Sequence, residues 1–235
     1  MLKKLIQSQY FNPGPLGIIV NPFYIARRSL YLGIRELGSS VTGKTLDVGC
    51  ATKPYENLFR SEIYHGLEIE STVHSEESKA DFYYDGNVFP FRDGEYDSVV
   101  TNQVLEHVFN PDQFLSEINR VLKPGGTLLL TVPFVWDEHE QPYDYARYSS
   151  FGLKSLLEKH GFEILRLHKT VPDLRVLFQL LNGYLYKVSA SKGFLIKQIV
   201  QYLLIFPLTL LSFIALILPR NPDFFLDQVV LARKR

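Results

Sequence analysis

TLDVGCATKPY, residues 45–55, begins the regular pattern of this chain. Residues 45–48 have strand character, and the strand ends in a turn of small residues, where a backbone can approach a ligand closely. Taken alone the signal is weak, because a strand, a glycine turn and a helix follow one another wherever a βα unit is tight. The elements downstream must therefore distinguish a nucleotide-binding loop from a structural turn.

From this stretch onward, apolar runs with strand character alternate with stretches of helical period, which is the signature of βαβ units. Residues 111–122 form the clearest amphipathic helix, and Lys123-Pro124-Gly125-Gly126 stops it. A second helix is predicted over 150–160, with Ser149 or Ser150 as its N-cap. The sequence thus predicts an α/β fold, with candidate strands at 45–48, 63–68, 82–84, 98–102, 127–132, 163–168 and 228–233.

The composition excludes several classes of protein. The 235 residues carry 25 Lys and Arg and 25 Asp and Glu, so the overall charge does not attract the chain to nucleic acid, and no nucleic-acid partner is expected. Cys50 is the only cysteine, which excludes an internal disulfide and a cysteine-based zinc site and fits a reducing compartment. No apolar run followed by a cleavage site precedes the first prolines, so we expect no secretion signal and a cytoplasmic location.

Further motifs follow the loop in a specific order. Glu68 ends the second strand about 20 residues later, the spacing at which a carboxylate accepts hydrogen bonds from ribose hydroxyls. Asp85-Gly86-Asn87 precedes Phe89-Pro90-Phe91, and EYDSVV at 95–100 and LEHV at 105–108 come next. In this combination the chain resembles the small-molecule type of class I S-adenosylmethionine-dependent methyltransferases, close to methyltransferase type 11.

The resemblance extends from residue 45 to about residue 162. It implies a Rossmann-like, doubly wound and mostly parallel seven-stranded sheet, with S-adenosylmethionine as the cofactor. In such a pocket Asp47 and Gly49 would shape the methionine and ribose sites, Glu68 would bind the ribose, and Asp85 would meet the adenine. The cofactor-binding residues that the resemblance implies are Asp47, Gly49, Cys50, Ala51, Tyr55, Glu68, Asp85, Gly86, Asn87, Asn102, Gln103 and His107.

Ala51 and Lys53 stand where the family prefers glycines. Alanine is tolerable at position 51 if its φ is negative, and Lys53 either points out of the loop, which we favour, or reaches the methionine carboxylate. The missing glycine also argues against a dinucleotide dehydrogenase, whose close approach to a pyrophosphate requires it. The same departures support an alternative function, in which a catalytically silent methyltransferase-like protein serves as a binding scaffold.

The loop at 133–148 is the best candidate for the substrate site, because open α/β sheets bind ligands at the carboxyl ends of their strands. It resembles the HExPxDYxRYT-like loop of methyltransferases from bacterial surface-glycan pathways. We predict His139 as the general base for a hydroxyl acceptor, Asp144 or Glu140 as the group that orients it, and Arg147 as a clamp on an anionic substrate group. The predicted acceptor is a small molecule or glycan, free or linked to a lipid.

Each of these residues has a structural alternative. His139 could cap the loop while Asp144 and Arg147 form an ion pair that holds it closed, and His107 could be a packed histidine at a helix start. A metal site of Asp137, His139, Glu140 and Asp144 is conceivable by ligand type, but four ligands in one flexible loop make a poor cage, so no metal site is predicted.

Two segments fall outside the alternation and divide the chain. Residues 1–40 form an N-terminal helical extension with one helix at 23–37, residues 41–171 and 225–235 form the core, and 172–224 is an apolar helical insertion. We expect the apolar stretches 174–186 and 194–218 to form a helical hairpin, because the strands before and after them should share one sheet. The hairpin could contact the inner face of a membrane, pack over the active site, or form a homodimer interface.

A third hypothesis, a nucleic-acid or protein methyltransferase, has little support. The chain lacks the Asn/Asp-Pro-Pro-Tyr/Phe tetrapeptide that grips planar amino groups, and its neutral charge balance does not favour a polyanion.

Overall fold

The computed structural model describes residues 2–70 and 78–235. Its strands are β1 (Thr42–Val48), β2 (Arg60–Ile69), β3 (Phe82–Tyr84), β4 (Tyr96–Asn102), β5 (Leu122–Pro133), β6 (Phe162–Lys169) and β7 (Asp227–Lys234). Its α-helices are α1 (Leu2–Phe11), α2 (Pro15–Val20), α3 (Tyr24–Gly38), α4 (Pro111–Val121), α5 (Ser150–Lys159), α6 (Arg175–Ala190), α7 (Phe194–Val200) and α8 (Phe206–Ser212).

The strands form one seven-stranded sheet in the order β3-β2-β1-β4-β5-β7-β6. The pairs β1–β2, β1–β4, β2–β3 and β4–β5 are parallel, which confirms the predicted Rossmann-like architecture. In register, Asp47 of β1 lies opposite Gly66 of β2 and Val100 of β4. The carboxyl ends of β1, β2 and β4 therefore meet at one edge of the sheet, where this architecture places its ligands.

The core of the sheet is apolar, as its sequence pattern predicts. Leu46 and Val48 of β1 are both fully buried, which is expected for a central parallel strand that is covered on both faces. Helix α4 buries Phe114, Leu115 and Ile118 in the same core. Its N-cap Asn110 accepts a hydrogen bond from the Gln113 amide, and the helix ends one residue before the predicted position because Leu122 begins β5.

The chain divides into two compact units. The first comprises residues up to Leu32, Val135–Asp137 and Lys169–Asp227, and the second comprises Gly33–Phe134, Glu138–His168 and Gln228–Arg235. The second unit contains the sheet and all the residues predicted to bind the cofactor. The division at residues 40, 172 and 224 stays a prediction.

The first unit is helical and has its own small apolar core, which includes Ile25, Val176 and Leu226. Helices α1 and α2 precede the one helix predicted for this part of the chain. Within the unit, the buried Asn182 of α6 donates a hydrogen bond of 2.9 Å to Thr209 of α8. A buried polar contact of this kind holds α6 and α8 in register, because an unpaired amide is costly to bury.

Residues Phe194–Ile217 form one continuous helical run. It begins as α7, widens to a π-helical turn at Gln201–Ile205, continues as α8 and ends in a 3-10 turn at Phe213–Ile217. The wide turn lies directly before Pro207, whose missing N–H interrupts the ladder of backbone hydrogen bonds. By length and composition this run is apolar enough to cross a membrane.

Candidate active site

The loop after β1 is shaped around Gly49. Its φ is +73°, and a Cβ atom added to it would lie 2.3 Å from Cγ2 of Val104. Its amide donates to the Leu67 carbonyl at 2.9 Å, which fixes the loop to β2. Only glycine combines this backbone conformation with so close a neighbour. Tyr55, at the far end of the predicted loop, is buried with 4% exposure.

Ala51 and Lys53 both differ from expectation. Ala51 has φ +43° and Lys53 has φ +53°, so both take the left-handed conformation that favours glycine. The condition of a negative φ at Ala51 is therefore not met, and the left-handed conformation costs about 1–2 kcal/mol at each position. Lys53 does not point outward either: its Nζ lies 2.5 Å from Oδ2 of Asp81, and its side chain is 10% exposed.

The inward position of Lys53 has a clear packing reason. A Cβ atom at Gly66 would lie 2.6 Å from Cε of Lys53 and 2.6 Å from Sγ of Cys50, so the absence of a side chain at Gly66 makes room for both. Burial raises the pKa of the Cys50 thiol to about 12, and the thiol therefore stays protonated and acts as a small apolar group.

Two carboxylates border the loop. Glu68 accepts a hydrogen bond from the Ala51 amide at 3.0 Å, so its side chain already lies over the turn where a ribose would bind. Asp47 is buried and accepts a hydrogen bond from the Tyr64 hydroxyl at 2.7 Å. Burial raises the pKa of Asp47 to about 7, in spite of the opposite effect of this hydrogen bond.

The predicted adenine site lies at the end of β3. Oδ1 of Asp85 accepts hydrogen bonds from the amides of Asn87 and Val88, and these bonds hold the pKa of the Asp85 carboxyl below its usual range. Gly86 has φ +87°, and a Cβ atom there would lie 3.1 Å from Cδ1 of Ile69. Because β3 runs parallel to β2, this turn and Glu68 share one edge of the sheet.

The end of β4 completes that edge. Gln103 has φ +55°, and its amide donates to the carbonyl of Thr131 at 3.0 Å. Oδ1 of Asn102 is buried, and no hydrogen-bond partner for it lies in residues 2–70 or 78–235. A buried acceptor of this kind normally has a partner. The Asn102 oxygen, Gly49 and Glu68 together fit the cofactor that the resemblance implies.

The substrate loop contains a connected set of charged groups. Oδ2 of Asp144 accepts from the His139 amide at 2.9 Å and lies 3.2 Å from Nδ1 of the same residue. Nη1 and Nη2 of Arg147 donate to the two oxygens of Asp144 at 2.6 and 2.7 Å. The Arg147 guanidinium therefore holds the pKa of the Asp144 carboxyl well below its usual range.

The loop contains both the carboxylate predicted to orient His139 and the ion pair given as its structural alternative. Asp144, rather than Glu140, lies where it can orient His139. Arg147 forms the ion pair with Asp144 that we considered as the structural alternative, so its guanidinium is engaged inside the loop. Both Nη atoms of Arg147 donate to Asp144, and its role as a clamp on an anionic substrate group stays a prediction.

Glu106 is a residue that the sequence interpretation missed. It lies in the 3-10 turn Leu105–His107, its side chain is fully buried, and its carbonyl accepts hydrogen bonds from the amides of Tyr145 and Ala146. The adjacent His107 makes an edge-to-face ring contact with His139 at 4.7 Å. The available signal was Glu106 itself, which lies in the LEHV segment that carries the family resemblance. A glutamate is almost never fully buried unless it is paired.

The loop geometry joins the predicted catalytic and cofactor sites. Val104, which packs against Gly49, is separated from Glu106 by one residue, and Glu106 and His107 adjoin His139. Next to them, Phe109 and Tyr145 are exposed and their rings lie 5.3 Å apart. Exposed aromatic rings beside ionisable groups are typical of small-molecule sites. The arrangement can therefore hold a cofactor and, beside it, an acceptor with a proton to remove.

Comparisons with known proteins agree with this geometry. Residues 46–130 match a family described as a methyltransferase domain. A Mycolicibacterium smegmatis relative named as an S-adenosylmethionine-dependent methyltransferase is 37% identical over 81 residues, which are 32% of this chain and 32% of the relative. O-methyltransferase rstn1 of Aspergillus nomiae is 26% identical over 159 residues, covering 56% of this chain and 71% of its own length.

Among solved structures, phosphoethanolamine N-methyltransferase 2 of Haemonchus contortus, in complex with S-adenosylmethionine, has a TM-score of 0.56 and 19% identity. The match covers 97% of this chain and 56% of the other. At this identity the likeness shows the fold alone. Since the chain spans about a third of the length of the mycobacterial relative, the match to that protein concerns a domain.

Proposed function

We propose that the protein is a class I S-adenosylmethionine-dependent methyltransferase that transfers a methyl group to a hydroxyl of a small-molecule or glycan acceptor; the methyltransferase-domain match over residues 46–130 supports this. The observation that carries this proposal is the shared edge of the sheet. There the Gly49 turn and Glu68 fit the cofactor, and the cluster of Glu106, His107 and His139 follows shortly after Val104, which packs against Gly49.

The residues present would hold the cofactor by familiar contacts. Glu68 would bind the ribose hydroxyls, the turn of Asp85-Gly86-Asn87 would meet the adenine, and the backbone from Gly49 to Ala51 would line the methionine part. The cofactor supplies an electrophilic methyl group on a sulfonium. Everything else in the reaction is alignment of the acceptor oxygen with that methyl group, followed by loss of the acceptor's proton.

His139 is our candidate for the general base that accepts this proton. Asp144 lies 3.2 Å from its Nδ1 and orients the ring, which is the arrangement of a histidine that acts through its other nitrogen. The pair recurs in enzymes where a carboxylate fixes the tautomer of a general base. Asp144 is thus a positioning residue, and His139 is the group proposed to meet the acceptor.

Oxygen is favoured over nitrogen as the acceptor atom by the same cluster. A hydroxyl needs its proton removed to become a good nucleophile, and the histidine and carboxylate groups provide for that. Relatives of this chain include both O- and N-methyltransferases by name, so similarity alone leaves the atom open. The exposed rings of Phe109 and Tyr145 suit the C–H face of a sugar ring or a flat aromatic acceptor.

Calorimetry with S-adenosylmethionine and with S-adenosylhomocysteine tests the proposal first. We expect both to bind with 1:1 stoichiometry, because the cofactor site is formed by the chain itself. Absence of binding for both ligands would contradict the enzyme function. Binding without methyl transfer to any hydroxyl acceptor, in assays with a radiolabelled methyl group and extracted glycans and glycolipids, would instead favour the scaffold alternative.

We also propose that segment 172–224 contacts the inner face of a membrane, which suits a lipid-linked acceptor. Strands β6 and β7 are neighbours in the sheet. The segment between them must therefore begin and end on the same side of a membrane, so it cannot cross the bilayer just once. Only 22% of the most apolar window of Phe194–Ile217 is buried, unlike the core helix of a soluble protein. Lys192 and Arg220 flank this run and Lys197 lies in its first turn, as expected for interfacial anchoring.

Vesicle flotation tests this contact. Leu195 and Leu203 are 71% and 67% exposed, and burying such a side chain contributes about 1.5–3 kcal/mol. We expect the protein to float with vesicles of mixed zwitterionic and anionic lipid, and L195E/L203E to lose at least about tenfold in the bound fraction. The matched control is F151E, since Phe151 on α5 is 81% exposed but lies outside the segment. Recovery of the unaltered chain only in the soluble fraction would contradict the proposal.

A further inference from the structure

Glu106, His107 and His139 form a cluster with the character of a metal site. One ligand atom from each residue lies within 4.8 Å of those of the other two. The residues come from two separate parts of the chain, the 3-10 turn Leu105–His107 and the substrate loop. They differ from the set of Asp137, His139, Glu140 and Asp144 that the sequence suggested, and only His139 is common to both sets.

The hydrogen bond of His107 selects its tautomer. Nδ1 lies 2.8 Å from the carbonyl oxygen of Tyr143. A carbonyl oxygen can only accept, so Nδ1 carries the proton and Nε2 carries the lone pair. Nε2 in turn lies 3.8 Å from Oε1 of Glu106. The nitrogen with the lone pair therefore faces the carboxylate, as two ligands of one cation would.

We infer the same tautomer for His139 as for His107. Its Nδ1 lies 3.2 Å from Oδ2 of Asp144 and 3.4 Å from Nη2 of Arg147, and these two neighbours would require opposite tautomers. The carboxylate is the closer partner, and Nη2 already donates to it at 2.7 Å. We therefore assign the proton of His139 to Nδ1, facing the Asp144 carboxylate, which leaves the lone pair on Nε2. Metal-binding histidines commonly donate their second N–H to a carboxylate or a backbone carbonyl, and both kinds occur here.

We propose that Glu106, Nε2 of His107 and Nε2 of His139 bind one divalent cation of the zinc class. Two imidazoles and one carboxylate are a common ligand set for such ions and leave a position open for a further oxygen. Bonds of about 2.0–2.2 Å would bring the ligand atoms to roughly 3.4 Å from one another, so the side chains must close in slightly when the cation binds.

This inference rests on the proposed function and gives its acceptor site a specific chemistry. Coordination of the acceptor's hydroxyl oxygen at the open position would lower the pKa of that hydroxyl. The O–H bond would break with release of the proton to solvent water, and the new O–CH₃ bond would form as the S–CH₃ bond breaks. His139 would then act as a ligand oriented by Asp144, in place of accepting the proton itself.

Cobalt(II) titration of the chelator-treated full chain provides a test, because a low-symmetry cobalt site with nitrogen ligands has strong visible absorption. We expect 1:1 binding and competition by zinc. D144N should weaken cobalt binding about 10–100-fold, the usual effect of a lost outer-sphere partner, and H107A and H139A should weaken it at least as much. The control is H168Q, because His168 is an exposed histidine near Glu36, outside the cluster.

Absence of cobalt and zinc binding by the unaltered chain, or unchanged affinity in both H107A and H139A, would overturn the metal site. Thermal unfolding of each variant shows that a lost site does not reflect a lost fold. Calorimetry with S-adenosylmethionine on the metal-free protein separates the two proposals. Retained cofactor binding without metal binding would overturn this inference alone, and loss of both would count against the proposed function as well.

Discussion

Replacing His139 by alanine is expected to reduce methyl transfer by about 10²- to 10⁴-fold, the range that a positioned acid–base group supplies. Affinity for S-adenosylmethionine should change little, because the cofactor residues lie on the ends of β1 to β4 and on the turns that follow them. The loss is expected whether His139 accepts the proton or binds a cation that coordinates the acceptor. Steady-state kinetics with calorimetry on the same preparation measures both effects.

The companion variant is D144N, which removes the negative charge that orients His139 but keeps the shape of the side chain. It should lower kcat with a smaller change in KM, whereas a purely structural role of the loop would lower the unfolding temperature and leave the kcat of the remaining folded enzyme unchanged. H168Q again serves as the control histidine. Normal turnover in H139A would exclude His139 from the reaction.

Replacing Gly49 by alanine should reduce cofactor affinity by about 100-fold or more, which corresponds to about 3 kcal/mol. The added Cβ atom would lie 2.3 Å from Cγ2 of Val104, so the turn must move away from the position that lines the pocket. Left-handed strain adds about 1–2 kcal/mol. Strain alone is tolerable, because Ala51 and Lys53 already have positive φ values. Calorimetry measures the affinity.

The double variant G49A/V104A shows whether the contact with Val104 or the backbone strain causes the loss of cofactor affinity in G49A. In V104A both Cγ atoms are absent, and the nearest remaining atom of residue 104, Cβ, lies 3.4 Å from the added methyl group, an ordinary contact. We expect the double variant to recover most of the affinity that G49A loses, measured relative to V104A alone. Equal losses with and without Val104 would show that backbone strain is decisive, and unaltered binding in G49A would show that the turn does not line the cofactor pocket.

The alternation of strand and helix patterns predicted an α/β fold with seven candidate strands, and the family resemblance implied their assembly into one mostly parallel sheet. The local sequence pattern did not predict the orientation of Lys53, because residues distant in the chain decide it. Lys53 turns inward because Gly66 leaves space and Asp81 supplies a charge, and neither effect is visible in the loop itself.

The sequence by itself determined the fold, the cofactor class and the edge of the sheet where a ligand binds. The positions of the strands follow from local periodicity, the spacing of Gly49 and Glu68 and the family resemblance point to the cofactor, and the carboxyl ends of parallel strands must meet at one edge. Only the tertiary structure decided how the substrate loop is arranged. The amides of Tyr145 and Ala146 bond to the Glu106 carbonyl, which folds the loop back and brings His139 against His107. No local pattern encodes that contact, because it depends on backbone groups far apart in the chain.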